Sequence, residues 1–421
     1  MRLEMEVSRI TGLRPGATTR VVDGVLELDT SAFQAHLADE RRLGRVEIDI
    51  AQPGEETRVC RVFDVFEPRA KVGEGENFPG VLGRLALSGS GRTRALRGAA
   101  VLMTDQLVPG LDALIDMTGP AAAYTPFART QNIVVSAEPA PGVSPQGYHA
   151  AIRLAGLKAA VYLAQASCQE PPDSMEVYDL PPVSRIPPAC QDLPRVAYVF
   201  QIHSHQRPTG PEEGILYGDN VRRLIPTVLH PNEVLDGAVL RGFMGRNATT
   251  YAIQNHPVIR DLYRRHGKDV WFTGVVVTAA QATEPERVRS ALITAELITH
   301  VLGADGAIFT KIGGGAPHVD MAQAAEHCER LGVKTVLLVE EMSTDGSSEG
   351  ALLFNFSHMD ALVSLGNSQV TVSLPPMARV LGIPWDMGAR QRGAGVVEGR
   401  LGMICGAVEQ VGASHLTATV S

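Results

Sequence analysis

The sequence lacks the features of membrane-spanning and nucleic-acid-binding proteins. None of its apolar runs approaches the ~20 residues that a membrane helix needs, so we expect no contact with a membrane. The formal net charge is −8 and no basic block occurs, which argues against a nucleic-acid partner because such partners need a clustered cationic face. The N-terminal stretch is charged and lacks the apolar core of a signal peptide. We therefore expect a cytoplasmic protein.

Cysteine is scarce and widely spaced. The five cysteines form no C-x-x-C pair, and isolated cysteines in a cytoplasmic chain are typically reduced thiols. Cys168 and Cys190 flank one proline-rich segment and are the pair that could form a disulfide, but free thiols are the prediction. In addition, neither Cys nor Ser occurs between Ser204 and Ser290.

What is present is the composition of a globular protein. The chain is 44% apolar and 20% charged, with 42 Gly and 27 Pro, and 421 residues predict two or three domains. Alternating segments and turn dipeptides predict a β-rich region over residues 1–90. An α/β segment over 91–170 follows, and then a Pro-rich linker or extended wrap over 171–194. The last region, 195–421, is predicted to be an α/β domain that carries the functional site.

Strands and helices are predicted from hydrophobic periodicity and from breaker residues. In the first half, the pattern indicates a hairpin at 21–28, strands at 46–50, 58–66 and 99–105, and a helix at 145–165. In the second half, it indicates strands at 195–203, 269–278, 306–310, 334–340 and 361–365, and helices at 220–224, 257–265, 284–302 and 319–331. Strands that alternate with helices of this length indicate a sheet covered on both faces. The predicted fold class is α/β, with a mostly parallel sheet in the C-terminal half.

The strand that ends near residue 203 is followed by a dense run of polar residues. His203 and His205 stand at positions i and i+2, which point to one face of a strand. Two imidazoles on one face can share a divalent metal, so we predict a transition metal, zinc or iron, at this point. Glu212, Glu213 and His230 are the nearest candidates for a further ligand, and the two glutamates are also candidates for a catalytic base. The alternative is that both histidines are hydrogen-bonded loop residues.

Other polar loops follow later strands. His318 and His358 lie near strand ends and could reach the same crevice, because ligands gather at the carboxyl ends of parallel strands. The loop Lys311–Pro317 is glycine-rich, but it matches no phosphate-binding fingerprint, so a tight strand-to-helix turn is favoured over an anion site. The acidic residues Glu340, Glu341 and Asp345 also follow a strand. Paired carboxylates could serve as a base or a ligand, but solvated loop residues are the favoured interpretation.

Taken together, the second half resembles the component B proprotein subunit of the glycine/sarcosine/betaine reductase family. The resemblance rests on ordered landmarks over most of 195–385 and extends more loosely to the N-terminal half. The landmarks are Pro226-Thr227, His230-Pro231-Asn232-Glu233-Val234-Leu235-Asp236-Gly237-Ala238, Thr250-Tyr251, Gln254-Asn255, Leu262–Asp269, Leu302–Gly306, Lys334–Leu337, Glu340-Glu341, Asp345-Gly346, Gly366-Asn367 and Leu374–Met377.

The resemblance implies a function and a partner. Members of this family act with a selenoprotein subunit and reduce small amino acids or amines by cleaving a C–N bond. Their proprotein cuts itself at a cysteine, and the new N-terminus becomes a pyruvoyl group whose carbonyl condenses with the amine. We therefore expect a small amine or amino-acid-like substrate, a selenoprotein-B-like reductase partner, and assembly into an oligomer.

The chain departs from the family where the cysteine is expected. That cysteine lies between the Asp-Gly-Ala and Thr-Tyr landmarks, which here enclose Val239 to Thr249. This segment contains neither Cys nor Ser, and the hydroxyls of Thr249 and Thr250 would not yield pyruvoyl. A pyruvoyl cofactor is therefore not expected, and a metal could supply the electrophile instead.

Three hypotheses remain open at this stage. The first is an uncleaved, pyruvoyl-free and metal-dependent enzyme. The second is a non-catalytic subunit that docks the selenoprotein-B-like partner. The third is a pyruvoyl-dependent reductase that uses an unusual residue.

Overall fold

The computed structural model describes residues 1–105, 107, 113–203, 213–242, 247–344, 361–382 and 395–413, and the backbone of 417–419. His205, Glu212, Asp345 and His358 lie outside the described residues. None of the helices within these ranges is both long and apolar enough to cross a membrane.

The first 180 residues are rich in short strands. The α-helices described in this half are α1 (Thr30–Ala38) and α2 (Pro145–Gln165). Their strands are β1 (Arg2–Arg9), β2 (Gly12–Pro15), β3 (Arg20–Val22), β4 (Val25–Leu28), β5 (Leu43–Ala51), β6 (Thr57–Cys60), β7 (Val62–Phe66), β8 (Arg69–Val72), β9 (Gly91–Arg97), β10 (Ala99–Thr104), β11 (Leu114–Asp116), β12 (Gln131–Pro139) and β13 (Ser174–Asp179).

Most of the local predictions for this half are confirmed. The hairpin is β3 and β4, paired antiparallel. Asp23 and Gly24 form its turn with φ of 49° and 75°. Positive φ at both central residues is typical of two-residue hairpin turns, because it matches the twist of the strands. Helix α2 has the predicted bounds, begins with an N-cap at Ser144 that accepts from Gly147 N at 3.1 Å, and packs on β7, β8 and β10. A Cβ at Gly156 would lie 2.4 Å from the ring of Phe66, so this contact requires glycine.

One prediction for this half needs correction, and for another the structure favours one of two alternatives. The strand predicted at 58–66 is divided into β6 and β7, because Arg61 adopts a left-handed φ of 56° and breaks the extended run. The Pro-rich segment 171–194 is partly ordered as a strand, since β13 pairs antiparallel with β1. In that part the segment is an extended wrap along the N-terminal sheet.

The second half contains the remaining elements. Its helices are α3 (Pro231–Leu235), α4 (Thr250–Gln254), α5 (Pro257–Arg265), α6 (Glu284–Glu296, which continues as a π-helix over Leu297–Val301) and α7 (Ala316–Arg330). Its strands are β14 (Arg195–Ile202), β15 (Thr227–Leu229), β16 (Trp271–Ala279), β17 (Gly306–Lys311), β18 (Lys334–Glu341), β19 (Ala361–Asn367), β20 (Thr371–Leu374), β21 (Arg379–Leu381), β22 (Val397–Arg400) and β23 (Thr417–Thr419).

Seven of these strands form the largest sheet, in the order β15-β16-β14-β17-β18-β19-β23. The neighbours from β16 to β19 pair in parallel, whereas β15 and β23 pair antiparallel at the two edges. The α/β class is therefore confirmed. The C-terminal half is not one simple parallel sheet, because β20 and β22 form a separate ribbon and β21 joins β6 of the N-terminal half.

The large sheet is covered on both faces. Residues of α6 and α7, including Ala291, Ala295 and Ala325, form a core with one face. The other face packs against α3, α4 and α5 through residues such as Val234, Ile253 and Leu262. The carboxyl ends of the parallel strands lie together at one edge of this sheet.

One predicted helix is wrong. None of the residues 220–224 is helical, and 222 and 223 form a turn; the Asn220 side chain accepts from Arg222 N at 2.9 Å, as in an Asx turn. Pro226 then follows, which cannot continue a helix. The five cysteines are free, as predicted.

Candidate functional site

The carboxyl end of β14 is enclosed by two glycines. His203 follows this strand directly. A Cβ built on Gly242 would lie 1.9 Å from the carbonyl oxygen of His203, and one on Gly313 would lie 3.6 Å from its ring. The predicted ligand His203 is therefore in the crevice at the strand ends, between the segment 239–242 and the loop after β17.

A hydrogen-bonded network links this crevice to the chain beyond residue 400. Asn247 Nδ2 donates to Glu340 Oε2 at 2.9 Å, and the Gln410 side-chain amide donates to the same oxygen. Gln410 Oε1 accepts from Gly313 N at 2.7 Å, and Gln410 N donates to Asn247 O at 2.7 Å. Glu340 is 3% exposed, so the prediction of a solvated carboxylate at this position is wrong.

Lys311 ends β17 inside the same region. Its side chain is 1% exposed, and Nζ donates to Gly313 O at 2.6 Å. Burial lowers the pKa of Lys311 to about 8, and the carboxylate of Glu340 opposes this shift. His318 stands in the first turn of α7, and burial together with the charge of Lys311 lowers its pKa to about 3. His318 is therefore neutral at physiological pH.

Thr249, the last residue of the segment 239–249, and Thr250 directly after it are each held by a buried acid. Thr250 donates through N and Oγ1 to the two oxygens of Asp64, at 2.9 and 2.6 Å. Thr249 N donates to Glu409 Oε1 at 3.1 Å. Burial raises the pKa of Asp64 and raises that of Glu409 to about 8, so burial favours the protonated form of each acid.

Arg241 lies within the segment itself. It is 4% exposed, its Cζ lies 4.6 Å from the centre of the Phe63 ring, and Nη1 is 4.0 Å from Asp64 Oδ1. Burial lowers its pKa, and the charge of Arg153 acts in the same direction. The predicted base Glu213 ion-pairs with Arg153 at 3.1 Å and contributes to the field at Arg241. Glu213 is thus brought to this part of the site.

His230 has a different place. Its Nδ1 accepts from Asn232 N at 3.2 Å, and Glu233 Oε1 accepts from His230 N at 2.7 Å, which together form the N-terminal cap of α3. Burial lowers the pKa of His230 to about 4, and a backbone hydrogen bond with Leu180 opposes the shift. No group of three or more His, Cys, Asp or Glu side chains suited to a metal ion occurs within the described ranges. Because His205 and Glu212 lie outside those ranges, the metal site stays a prediction.

Comparison with known proteins decides the family. A family model described as "Glycine/sarcosine/betaine reductase component B subunits" matches residues 1–415. The chain belongs to this family.

Curated relatives agree with this assignment over nearly the whole length. The chain is 35% identical over 438 residues to "Glycine reductase complex component B subunits alpha and beta" of Acetoanaerobium sticklandii, with 99% of each chain covered. It is 35% identical over 393 residues to "Sarcosine reductase complex component B subunit alpha" of Peptoclostridium acidaminophilum, with 91% and 90% covered. The "Betaine reductase complex component B subunit alpha" of the same organism is also 35% identical, with 91% and 88% covered. No solved structure matches the chain.

Several family landmarks have structural roles in this component B chain. Asn232 Nδ2 donates to the carbonyls of Gly89 and Tyr178, each at 3.1 Å. Asp236 accepts from Gly89 N at 2.8 Å and from Thr93 Oγ1 at 2.7 Å, and it ion-pairs with Lys71. The His-Pro-Asn-Glu landmark and the Asp-Gly-Ala landmark therefore join the N-terminal sheets to α3.

The segment 239–249 contains neither Cys nor Ser. Its eleven residues read Val-Leu-Arg-Gly-Phe-Met-Gly-Arg-Asn-Ala-Thr, and self-cleavage to pyruvoyl needs a Cys or Ser whose side chain attacks the preceding carbonyl. Thr249 is the N-cap of α4, where its Oγ1 accepts from Ala252 N at 3.2 Å, and Thr250 donates to Asp64. We derive no chemical step through a pyruvoyl group.

Sequence reasoning missed Asp64, Arg241 and Glu409. Asp64 gives a signal in retrospect, because it is the one charge within the apolar strand β7. Glu409 lies among turns after β22, and only the tertiary contact with Thr249 reveals it.

Proposed function

We propose that this chain is an uncut, pyruvoyl-free component B subunit that takes part in C–N bond chemistry on a small amine, amino acid or amino-acid derivative. The observation that carries the proposal is the segment 239–249. It lies between two landmarks of the family, its described ends are buried among Asp64, Glu340 and Glu409, and it holds no residue that yields pyruvoyl. The names of the relatives support a place in a reductase complex.

The intact mass of the purified protein tests this proposal. An uncut chain gives one species at 45.0 kDa, whereas self-cleavage gives two fragments. A reagent that reacts with carbonyl groups, such as a hydrazide, should leave the intact chain unlabelled. Two fragments, one of which reacts with the hydrazide, would show that an unusual residue supplies the carbonyl.

We further propose that a divalent transition metal, zinc or iron, is held by His203 and His205. Support comes from the position of His203 at the carboxyl end of β14, where the segment 239–242 also lies. Because Glu213 pairs with Arg153 and His230 caps α3, the ligand set centres on the two histidines, with Glu212, Glu213 or His230 as a further ligand or base. A bound metal would polarise a carbonyl or activate water.

Elemental analysis of wild type and two variants tests the metal. We expect a near-stoichiometric metal in wild type and in His300→Ala, because His300 is an exposed residue of the π-helical turn. His203→Ala should lose the metal. If His203→Ala retains both metal and activity, the metal proposal fails.

An alternative is a non-catalytic subunit that docks a selenoprotein-B-like reductase partner and shapes the partner's site. The loss of the pyruvoyl precursor together with full-length similarity to subunits of reductase complexes favours it. Co-expression with a selenoprotein-B-like reductase subunit distinguishes the docking subunit from the enzyme. A metal-free, uncut chain that co-purifies with the partner supports docking, whereas activity without the partner contradicts it.

A further inference from the structure

Arg241 carries a buried charge that the described residues do not satisfy. The side chain is 4% exposed, and its Nε and Nη1 atoms have no hydrogen-bond partner within the described parts of the chain. A guanidinium stays protonated in proteins and has five N–H donors. A buried cation with free donors is costly unless an anion is supplied.

The nearest carboxylate does not fill this need. Asp64 lies 4.0 Å from Arg241 Nη1, beyond hydrogen-bond distance. Its two oxygens already accept from Thr250 N, Thr250 Oγ1 and Val65 N at 2.9, 2.6 and 2.8 Å. Asp64 is therefore committed to β7 and to the start of α4. The lowered pKa of Arg241 agrees with a cation that burial leaves undercompensated.

The surroundings of the Arg241 guanidinium favour a small anion that also contacts an apolar ring. The Phe63 ring covers one face of the guanidinium at 4.6 Å and also stacks on His149 at 5.6 Å. Arg153 adds a second positive charge nearby, which Glu213 neutralises. A carboxylate matches the planar fork of a guanidinium and accepts two parallel hydrogen bonds from it.

We propose that Arg241 binds the carboxylate of a small amino-acid-type substrate and so fixes the position of the substrate's amine. This inference rests on the proposed function only in assuming that the ligand carries an amine. Binding of the carboxylate requires neither a metal nor a partner subunit.

Equilibrium dialysis with matched pairs of labelled probes tests the proposal. The two probes of a pair share the same nitrogen group, but one has a carboxylate where the other has a hydroxymethyl group. The pairs are glycine with ethanolamine, sarcosine with N-methylethanolamine, and betaine with choline. Acetate serves as the minimal carboxylate. Wild type should bind at least one carboxylate of the set more tightly than its alcohol counterpart, by about tenfold or more, as expected for a buried charge pair.

Two variants and one control assign the effect to Arg241. Arg241→Gln should lose the preference for the carboxylate, whereas Arg241→Lys should retain part of it because the cation remains. The control Arg289→Gln should bind as wild type does, because Arg289 is exposed on α6. Near-ultraviolet circular dichroism checks that each variant is folded. If the variants do not fold, the comparison of matched probes on wild type still decides.

Three results would overturn the proposal. They are equal binding of carboxylate and alcohol probes, no binding of any carboxylate to wild type, and unchanged carboxylate binding by folded Arg241→Gln. If the chain proves to be cut but carboxylate binding still depends on Arg241, then the proposed function fails and the carboxylate site stands.

Discussion

The ion pair between Lys71 and Asp236 provides a sharp test of how the two halves of the chain are joined. The Lys71 side chain is 6% exposed and the Asp236 side chain 2% exposed. Asp236 also accepts from Gly89 N and Thr93 Oγ1, and Ser88 Oγ donates to its backbone carbonyl at 2.6 Å. One carboxylate of the Asp-Gly-Ala landmark thus ties α3 to β8, to β9 and to the loop before β9.

Asp236→Asn removes the negative charge but keeps the size of the side chain. Lys71 is then a buried cation whose remaining acceptors are Thr93 Oγ1 and the carbonyl of Ser90. Removal of one partner of a buried ion pair typically costs about 3–5 kcal/mol. Because an amide oxygen can still accept one of the bonds to Asp236, we expect the lower end, about 3 kcal/mol, as the loss in the free energy of unfolding.

Denaturant unfolding is the preferred assay, since a chain of this length shifts its melting temperature by only about 1 °C per kcal/mol. Asp179→Asn is a matched control, because Asp179 is 53% exposed and lies 3.7 Å from an exposed Arg2. The control should change the free energy of unfolding by less than about 0.5 kcal/mol. Lys71→Met combined with Asp236→Asn should recover part of the loss, because no unpaired charge remains. A loss below about 1 kcal/mol for Asp236→Asn, with the same denaturant slope, would refute the reasoning.

Three further predictions concern buried polar and thiol groups. Burial raises the pKa of Glu409 from 4.5 to about 8. Between these pH values the folded state keeps a proton that the unfolded state loses, so the stability of the protein should fall as pH rises from about 4.5 to 8. Glu409→Gln should flatten this part of the stability profile, whereas Glu296→Gln at an exposed site should not; an unchanged slope in Glu409→Gln would count against the buried acid. Asn232→Ala should cost about 2–4 kcal/mol in unfolding free energy, because two buried carbonyls lose their donor, and a near-neutral effect would show that water replaces the amide. Ellman's reagent at pH 8 should reach the two buried thiols, Cys328 and Cys405, only after unfolding, because burial raises their pKa values. Rapid reaction of either thiol in native protein would contradict this.

The local elements of this protein were largely predictable from the sequence. Helices α2 and α5 begin and end at the predicted residues, since each has Pro in its first turn and a clear apolar face. The hairpin of β3 and β4 follows from its Asp-Gly turn. The helix predicted at 220–224 failed because an Asx turn at Asn220 competes with helical hydrogen bonds.

The candidate site was predictable only in part. The strand end at His203 and the family landmarks were visible in the residue pattern, and so was the absence of Cys and Ser from the segment 239–249. The partners of that segment were not, because Asp64 is 186 residues from Thr250 and Glu409 is 160 residues from Thr249. Such contacts arise from the packing of distant elements, which no local periodicity encodes.

Residue types and their order thus determined the α/β character, the main elements and the family of this chain. The tertiary structure alone decided which polar residues are buried and what each one contacts. Glu340 was predicted to be solvated and is buried, and Arg241 was overlooked although it is buried in the segment. The role of His230 in capping α3 is likewise visible only in the folded chain, and its role as a ligand stays a prediction. The physical reason is that the chemistry of an ionisable side chain depends on desolvation and on its neighbours, and both are properties of the folded chain.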